Sequence, residues 1–228
     1  MKLSTTARLI LACLTTSCLF LLPMHGATAN EAANEPYAGQ YDLIDPPQST
    51  NTSDKVEVVE LFWYTCPHCY YFDKDYLKDW RENPPDYVEF IQMPAVFGPK
   101  KRWKPLVKAY YVAEALGILD KVHMPLFEAV HDKKPRLRNK VKALQNFFAK
   151  YGVSEEDFTD TYDSFGVDAK MKRARDLTKR YGVNSVPSIV VNGKYRLGSR
   201  KAGGSKNLMR ILDYLIEKER QLMGLPKK

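Results

Sequence analysis

An apolar run, Val56-Glu57-Val58-Val59-Glu60-Leu61-Phe62-Trp63, leads into Tyr64-Thr65-Cys66-Pro67-His68-Cys69, and an aromatic and acidic stretch from Tyr70 to Trp80 follows at once. The run is short, rich in β-formers and reads as a buried strand. The stretch after it reads as a helix that Pro84-Pro85 ends. Tyr87 to Met93 then alternates and carries β-formers, which predicts a second strand stopped by Pro94. Strand, helix, strand at this spacing is a βαβ unit, and its right-handed crossover makes the two strands parallel. The two thiols therefore sit at a strand-to-helix junction, Cys66 near the helix N-terminus. Unpaired N–H groups and the positive end of the helix dipole favour an anion there. A thiol so placed is more acidic than a free one, and the thiolate is the reactive form.

The first 29 residues differ in kind. Lys2 and Arg8 precede an apolar stretch from Leu9 to Leu22, Pro23 breaks it, and Ala27-Thr28-Ala29 offers a small-residue cleavage site. This is the layout of a secretory signal peptide. A retained anchor is the alternative, but the stretch is short for a span and Thr15, Thr16 and Ser17 dilute it. Removing the leader removes Cys13 and Cys18, so an exported protein keeps only Cys66 and Cys69. Such a closely spaced pair closes too small a loop to be a useful staple, because the stabilisation grows with loop length. Chemistry is the better reason to keep it. The formal charge of +8 falls to +6, since the leader carries two basic residues and no acidic one. Basic residues are spread along the chain, densest at Lys100-Lys101-Arg102 and Lys170 to Arg180. They read as a solvated surface, and no nucleic-acid motif accompanies them.

Residues 30–54, rich in Asn, Pro, Ser and Thr, read as a lead-in with a short edge strand at Gly39 to Leu43. From Arg102 to Phe165 the β signal fades. Helical spacing recurs at Leu106 to Leu116, Met124 to Val130 and Val141 to Phe148, and Ser154 with Glu155-Glu156-Asp157 has the form of an N-cap with acids in the first turn. A basic amphipathic helix is predicted over Val167 to Tyr181, with Met171 as a core contact. A loop follows at Val183 to Ser188, then strands Ile189 to Val191 and Tyr195 to Leu197 joined through Asn192-Gly193, a strong hairpin signal. The last helix, Leu208 to Leu222, places Leu208, Ile211, Leu212, Leu215 and Ile216 on one face.

A dithiol after a strand, then a Val-Pro loop ahead of a hairpin, resembles the thioredoxin fold. A helical insertion between the halves narrows the resemblance to the DsbA family of thiol:disulfide oxidoreductases. It is carried by Glu60-Leu61-Phe62-Trp63 with Cys66-Pro67-His68-Cys69-Tyr70, by Pro125-Leu126-Phe127-Glu128, and by Val186-Pro187-Ser188-Ile189-Val190-Val191-Asn192-Gly193-Lys194-Tyr195. It runs over residues 37 to 221. The fold class expected is α/β, thioredoxin-like with an inserted α-helical domain. Residues 1–29 are the signal peptide, 30–98 the first part of the thioredoxin-like domain, 99–166 the insertion and 167–228 the second part. The resemblance implies that Pro187 is cis and lies against the dithiol; an X-Pro bond is the one place where a cis peptide is cheap. It implies periplasmic location, reduced unfolded exported proteins as partners, and reoxidation by a DsbB-like membrane quinone oxidoreductase. No metal, organic cofactor or nucleic acid is expected, and the protein is expected to be a monomer.

Cys66 is the expected nucleophile and Cys69 its buried resolving partner. Pro67 suits the first turn of a helix. His68 and the helix dipole would stabilise the Cys66 thiolate and hence the reduced form, making the disulfide a stronger oxidant; the DsbA family is itself the general example of this, and only the direction is taken from it. Pro187 would interrupt sheet pairing and leave the Val186 backbone free for a client strand. Glu60 interrupts an apolar strand, which is costly unless the carboxylate is partnered or protonated. In the family a buried acid here lies under the dithiol, relays protons to the second cysteine and is often paired with a base on the next strand. Gln92 stands at that position, which removes the ion pair. Glu57 is expected to be exposed. The aromatics Phe62, Trp63, Tyr64, Tyr70, Tyr71 and Phe72 are expected as core and rim. A zinc half-site lacks a second Cys or His pair, with His123 and His131 standing alone, and a c-type haem site would need His where Tyr70 stands. The rivals to a dithiol oxidase are a reductase or isomerase of the same fold and a peptide-binding holdase with an incidental dithiol.

Overall fold

Strand β2 (Val56–Phe62) is buried at all seven positions, because it runs through the middle of the sheet with helices over both faces. The computed structural model describes residues 35–98, 103–131 and 135–227. The leader and the Lys100-Lys101-Arg102 cluster lie outside the described residues. Residues 36 to 228 group as one unit. Among the described residues, five strands lie in the order β1 (Asp42–Leu43), β5 (Tyr195–Gly198), β4 (Ser188–Val191), β2, β3 (Val88–Pro94). The β2 and β3 strands are parallel, as the crossover rule requires, and β2–β4, β4–β5 and β5–β1 are antiparallel. The register sets Glu60 against Gln92 on one side and Ile189 on the other.

The two faces of β2 feed two apolar clusters. Val56 and Val58 pack with Phe72, Leu77 and the C-terminal helix α8 (Ser205–Leu222), whose buried Leu208, Ile211, Leu212, Leu215 and Ile216 form the stripe expected from their spacing. Val59 and Leu61 face the other way, toward α7 (Phe165–Arg180) and the helices α3 (Lys104–Ala115), α4 (Leu119–His131), α5 (Val141–Ala149) and α6 (Glu155–Tyr162). With both faces covered, Glu57 has no route to solvent. It is 1% exposed, against the expectation, and its Oε2 accepts hydrogen bonds from Asn51 N at 2.8 Å and Asn51 Nδ2 at 2.5 Å. A buried carboxylate is tolerable once such donors replace water.

Local chemistry accounts for most boundaries. Ser154 Oγ accepts from Asp157 N and caps α6 as expected. Ser164 caps α7 in the same way through Val167 N, starting that helix earlier than its apolar spacing indicated. Helix α4 also starts early and runs straight through Pro125. One proline forfeits one helical hydrogen bond, and the buried Val122, Leu126, Phe127 and Val130 hold the helix against the core on both sides of it. The β4–β5 hairpin turns through Asn192 and Gly193 with φ of 49° and 66°, the two left-handed residues of a type I′ turn. A side chain at Gly193 would also collide with the backbone of Gln48.

The helix after the dithiol is not continuous. It comprises α1 (Pro67–Phe72), a π-helical turn (Asp73–Leu77) and α2 (Lys78–Glu82). The amide of Lys78 reaches five residues back to the carbonyl of Asp73. The uninterrupted helix expected from Tyr70 to Trp80 therefore holds one extra residue in its middle, a feature that recurs at functional sites.

Candidate active site

Cys66 is the N-cap of α1. Its backbone is extended (φ −91°, ψ 114°), Pro67 fills the first helical position, and its Sγ accepts from the amide of Cys69 at 3.4 Å. Cys69, one turn on, is completely buried. Both thiols are free, so this is the reduced arrangement. The two sulfurs sit in opposite electrostatic settings. The Cys66 thiol is lowered to about 6, first by the hydrogen bond from the Cys69 thiol; burial opposes this, and the backbone N–H groups of Cys69 and His68 and then the His68 charge add to it. Cys69 is pushed well up, chiefly by burial and then by the same bond to Cys66. The sequence ranked His68 and the helix start first, whereas the largest single influence is Cys69 itself.

Across from the dithiol, the Val186-Pro187 peptide is cis, and the Val186 carbonyl oxygen lies 3.7 Å from Cys66 Sγ. Ser188 Oγ donates to the Ser185 carbonyl at 2.8 Å and holds the loop in shape. A groove of about 950 Å³ opens beside it, lined by His68, Tyr71, Tyr76, Val186, Pro187 and Arg200 among others. Tyr71 and Tyr76 are 56% and 42% exposed, unusually open for aromatic rings, and both border this groove.

Glu60 lies on the α1 side of β2, 1% exposed. As the register required, its partner is Gln92, whose Nε2 donates to Glu60 Oε2 at 2.7 Å. The same amide nitrogen donates to Asp73 Oδ2 at 2.9 Å. Asp73 Oδ2 also accepts from Arg81 at 2.8 Å and lies 3.1 Å from His123 Nε2. Arg81 further donates to Gln92 Oε1 at 3.2 Å. So the base absent from β3 is replaced from two other elements, Arg81 on α2 and His123 on α4. Burial first, and Asp73's charge second, raise Glu60 to about 8. Burial also presses Asp73 upward, but the His123 hydrogen bond and charge, the Arg81 charge and the Gln92 bond outweigh it and leave Asp73 lowered. The outcome is one protonated and one ionised carboxyl at neutral pH, and Glu60 is close enough to the dithiol that its ionisation would raise Cys69 further.

The structure thus brings Cys66, Pro67, His68, Val186 and Pro187 together around the dithiol, with Cys69 buried beneath Cys66 and Glu60 behind them. Sequence reasoning missed Asp73, Arg81, Tyr64 and His123 as members of the buried cluster. Asp73 had a signal, an acid on the helix directly after the dithiol. His123 had none, because 50 residues separate it from Asp73.

A family model described as a DSBA-like thioredoxin domain matches residues 57–215. The thiol:disulfide interchange protein DsbA of Pseudomonas aeruginosa is 38% identical over 206 residues, 90% of this chain and 95% of that protein. That of Azotobacter vinelandii is 40% identical over 166 residues, 73% and 76% respectively. Among solved structures, P. aeruginosa DsbA aligns with a TM-score of 0.75 at 38% identity, over 81% of this chain and 94% of that one. The oxidoreductase DsbA of Xylella fastidiosa aligns with a TM-score of 0.72 at 35% identity, over 79% and 95%. With that fold, and with an acidic thiol at a helix N-cap facing a buried one, the chain belongs to the DsbA family of thiol:disulfide interchange proteins and is a DsbA-type disulfide oxidoreductase.

Proposed function

We propose that this oxidoreductase works in the periplasm after its leader, residues 1–29, is removed, that reduced, unfolded exported proteins are its clients, and that a DsbB-like membrane quinone oxidoreductase restores its disulfide. A client thiolate attacks Cys66 of the Cys66–Cys69 disulfide. The client–Cys66 bond forms, the Cys66–Cys69 bond breaks, and Cys69 leaves with the electron pair. Because Cys69 is buried and held well above an ordinary thiol, it takes up a proton, and Glu60 is the acid that supplies it. A second client thiolate then attacks the client sulfur of the mixed disulfide and expels Cys66. The client loses two electrons, which the dithiol gains. Cys69 keeps the proton from Glu60, Cys66 leaves as the thiolate, and the two protons of the client thiols pass to solvent, from which Glu60 is reprotonated. His68 contributes a further charge to the Cys66 thiolate, Pro67 sets its helix start, and the Val186 backbone with Pro187 docks the client strand beside it. The protein acts as a monomer without metal or organic cofactor.

The observation that carries this reading is the asymmetry of the thiols. Stabilising one thiolate stabilises the reduced form, so the oxidised form tends to give its disulfide away. Equilibration with glutathione tests it. An oxidising couple is expected, and a strongly reducing one would transfer the reading to a reductase. Cys66→Ala should abolish oxidation of a reduced client while client binding persists; oxidation surviving that change would leave only a holdase with another source of disulfides. Cys69→Ala, given a client disulfide, should trap that client as a mixed disulfide on Cys66: the Cys66 thiolate attacks one client sulfur, the other leaves as a thiolate, and no resolving thiol remains to break the new bond.

A further inference from the structure

Tyr64 lies in the loop before Cys66, Asp73 on the helix after Cys69, and His123 on α4, among the helices between β3 and α7. All three are buried, at 3%, 0% and 3% exposure. Tyr64 Oη is 2.9 Å from His123 Nδ1, and His123 Nε2 is 3.1 Å from Asp73 Oδ2. An ionised Asp73 can only accept, so Nε2 carries a proton toward it, while Nδ1 shares a hydrogen bond with the Tyr64 hydroxyl. The rings of Phe62 and Phe127 close on the imidazole edge-on at 5.1 Å and 5.2 Å and leave it one orientation.

We propose that His123 is a positioning residue for thiol–disulfide exchange: its two ring nitrogens tie the loop ahead of Cys66 to the helix behind Cys69 and hold the Asp73 carboxylate as an anion across Gln92 from Glu60. The groups facing this cluster are known from every side. Arg81 comes from α2, Gln92 from β3, Tyr110 from α3, Tyr64 from the loop and Cys69 from α1. Arg81 and His123 are the cationic or donating members, and Asp73 answers to both. While Asp73 stays ionised, the single proton of the two carboxyls resides on Glu60. Without the His123 N–H, Asp73 competes for that proton, and the donor next to the dithiol is depleted.

The carboxyl carbon of Asp73, followed by NMR against pH in the reduced full chain, reads this directly. In the unmodified protein Asp73 should titrate below the ordinary carboxylate range. In His123→Leu its midpoint should rise by about one unit or more, a tenfold gain in proton affinity, and the pH profile of client oxidation should gain a matching inflection. His123→Gln, which restores an N–H and an acceptor, should return both toward the starting values. Tyr64→Phe, which removes only the hydroxyl, should shift the midpoint the same way by less. An Asp73 midpoint and a pH–rate profile equal to those of the unmodified protein in folded His123→Leu, or in Tyr64→Phe where the leucine variant does not fold, overturn the proposal. The rate arm rests on Glu60 as proton donor to Cys69, whereas the carbon signal does not. A normal rate in Glu60→Gln would therefore remove that reading while the Asp73 titration still decides this one.

Discussion

Replacing Glu60 by Gln should make the protein more stable and flatten its response to pH. In the folded chain Glu60 titrates at about 8, against 4.5 for the same group in solvent. Between those values the folded state holds a proton that the unfolded state has released. Stability therefore falls as pH rises through this window, is unaffected by Glu60 below it, and is constant again above it. Integrating the linkage relation gives a cost of about 1 kcal/mol at pH 5 and about 3 kcal/mol at pH 7. Glutamine keeps the shape and retains an acceptor for the Gln92 amide, but it never ionises. Urea unfolding of the reduced unmodified and Glu60→Gln proteins at pH 5, 6, 7 and 8 provides the assay, with the difference at each pH cancelling the titration of other groups. The gap should widen by about 2 kcal/mol between pH 5 and pH 7. Parallel stability curves over that range would mean that Glu60 is ionised in the native state and that its place beside Asp73 has been misread.

Thiolate absorbance of the reduced protein should show Cys66 titrating near 6, and Cys69 should contribute nothing below pH 9. His68→Ala should raise the Cys66 midpoint only slightly, since the imidazole charge is the smallest of the influences on that sulfur; a rise of two units would put His68 first. Glu57→Ala should lower stability by about 0.5–1.5 kcal/mol, the net worth of a hydrogen bond, because the backbone and side-chain N–H groups of the exposed Asn51 lose their acceptor and turn to water. Glu57→Gln should recover part of that loss in the same denaturation experiment.

How much of this was legible beforehand depended on whether the signal was local. Strand β2, the hairpin at Asn192-Gly193, the Ser154 cap and the apolar stripe of α8 are set by neighbours a few residues apart, and each lies where its pattern put it. The dithiol, the Val-Pro loop and the Glu60–Gln92 pairing were legible because motif and parallel register fix them together. Glu57 was misread because alternation tells which face a residue points to and not whether that face is covered; here both are. Helix α4 was read too short, from Met124 rather than Leu119, and His123 went unplaced with it. Contacts such as Tyr64 with His123 or Arg81 with Gln92 depend on how helices settle on the sheet, which no spacing in one chain specifies.

The π-helical turn between α1 and α2 has a geometric consequence for the ion pair it precedes. On a regular α-helix each residue advances by about 100°, so residues eight apart, as Asp73 and Arg81 are, point about 80° away from each other. One surplus residue absorbed in a wider turn removes about one such step, leaving the two side chains within roughly 20° of alignment. Arg81 then reaches back along the helix to Asp73 at 2.8 Å. The turn works as a phase corrector. Deleting one residue from 74–77 would therefore give a regular helix and keep Arg81 in line with the carboxylate, now seven residues on, whereas winding the segment as a regular helix at its full length would swing Arg81 about 80° away. The irregularity is what lets a residue on the far end of that helix speak to the chemistry at its start.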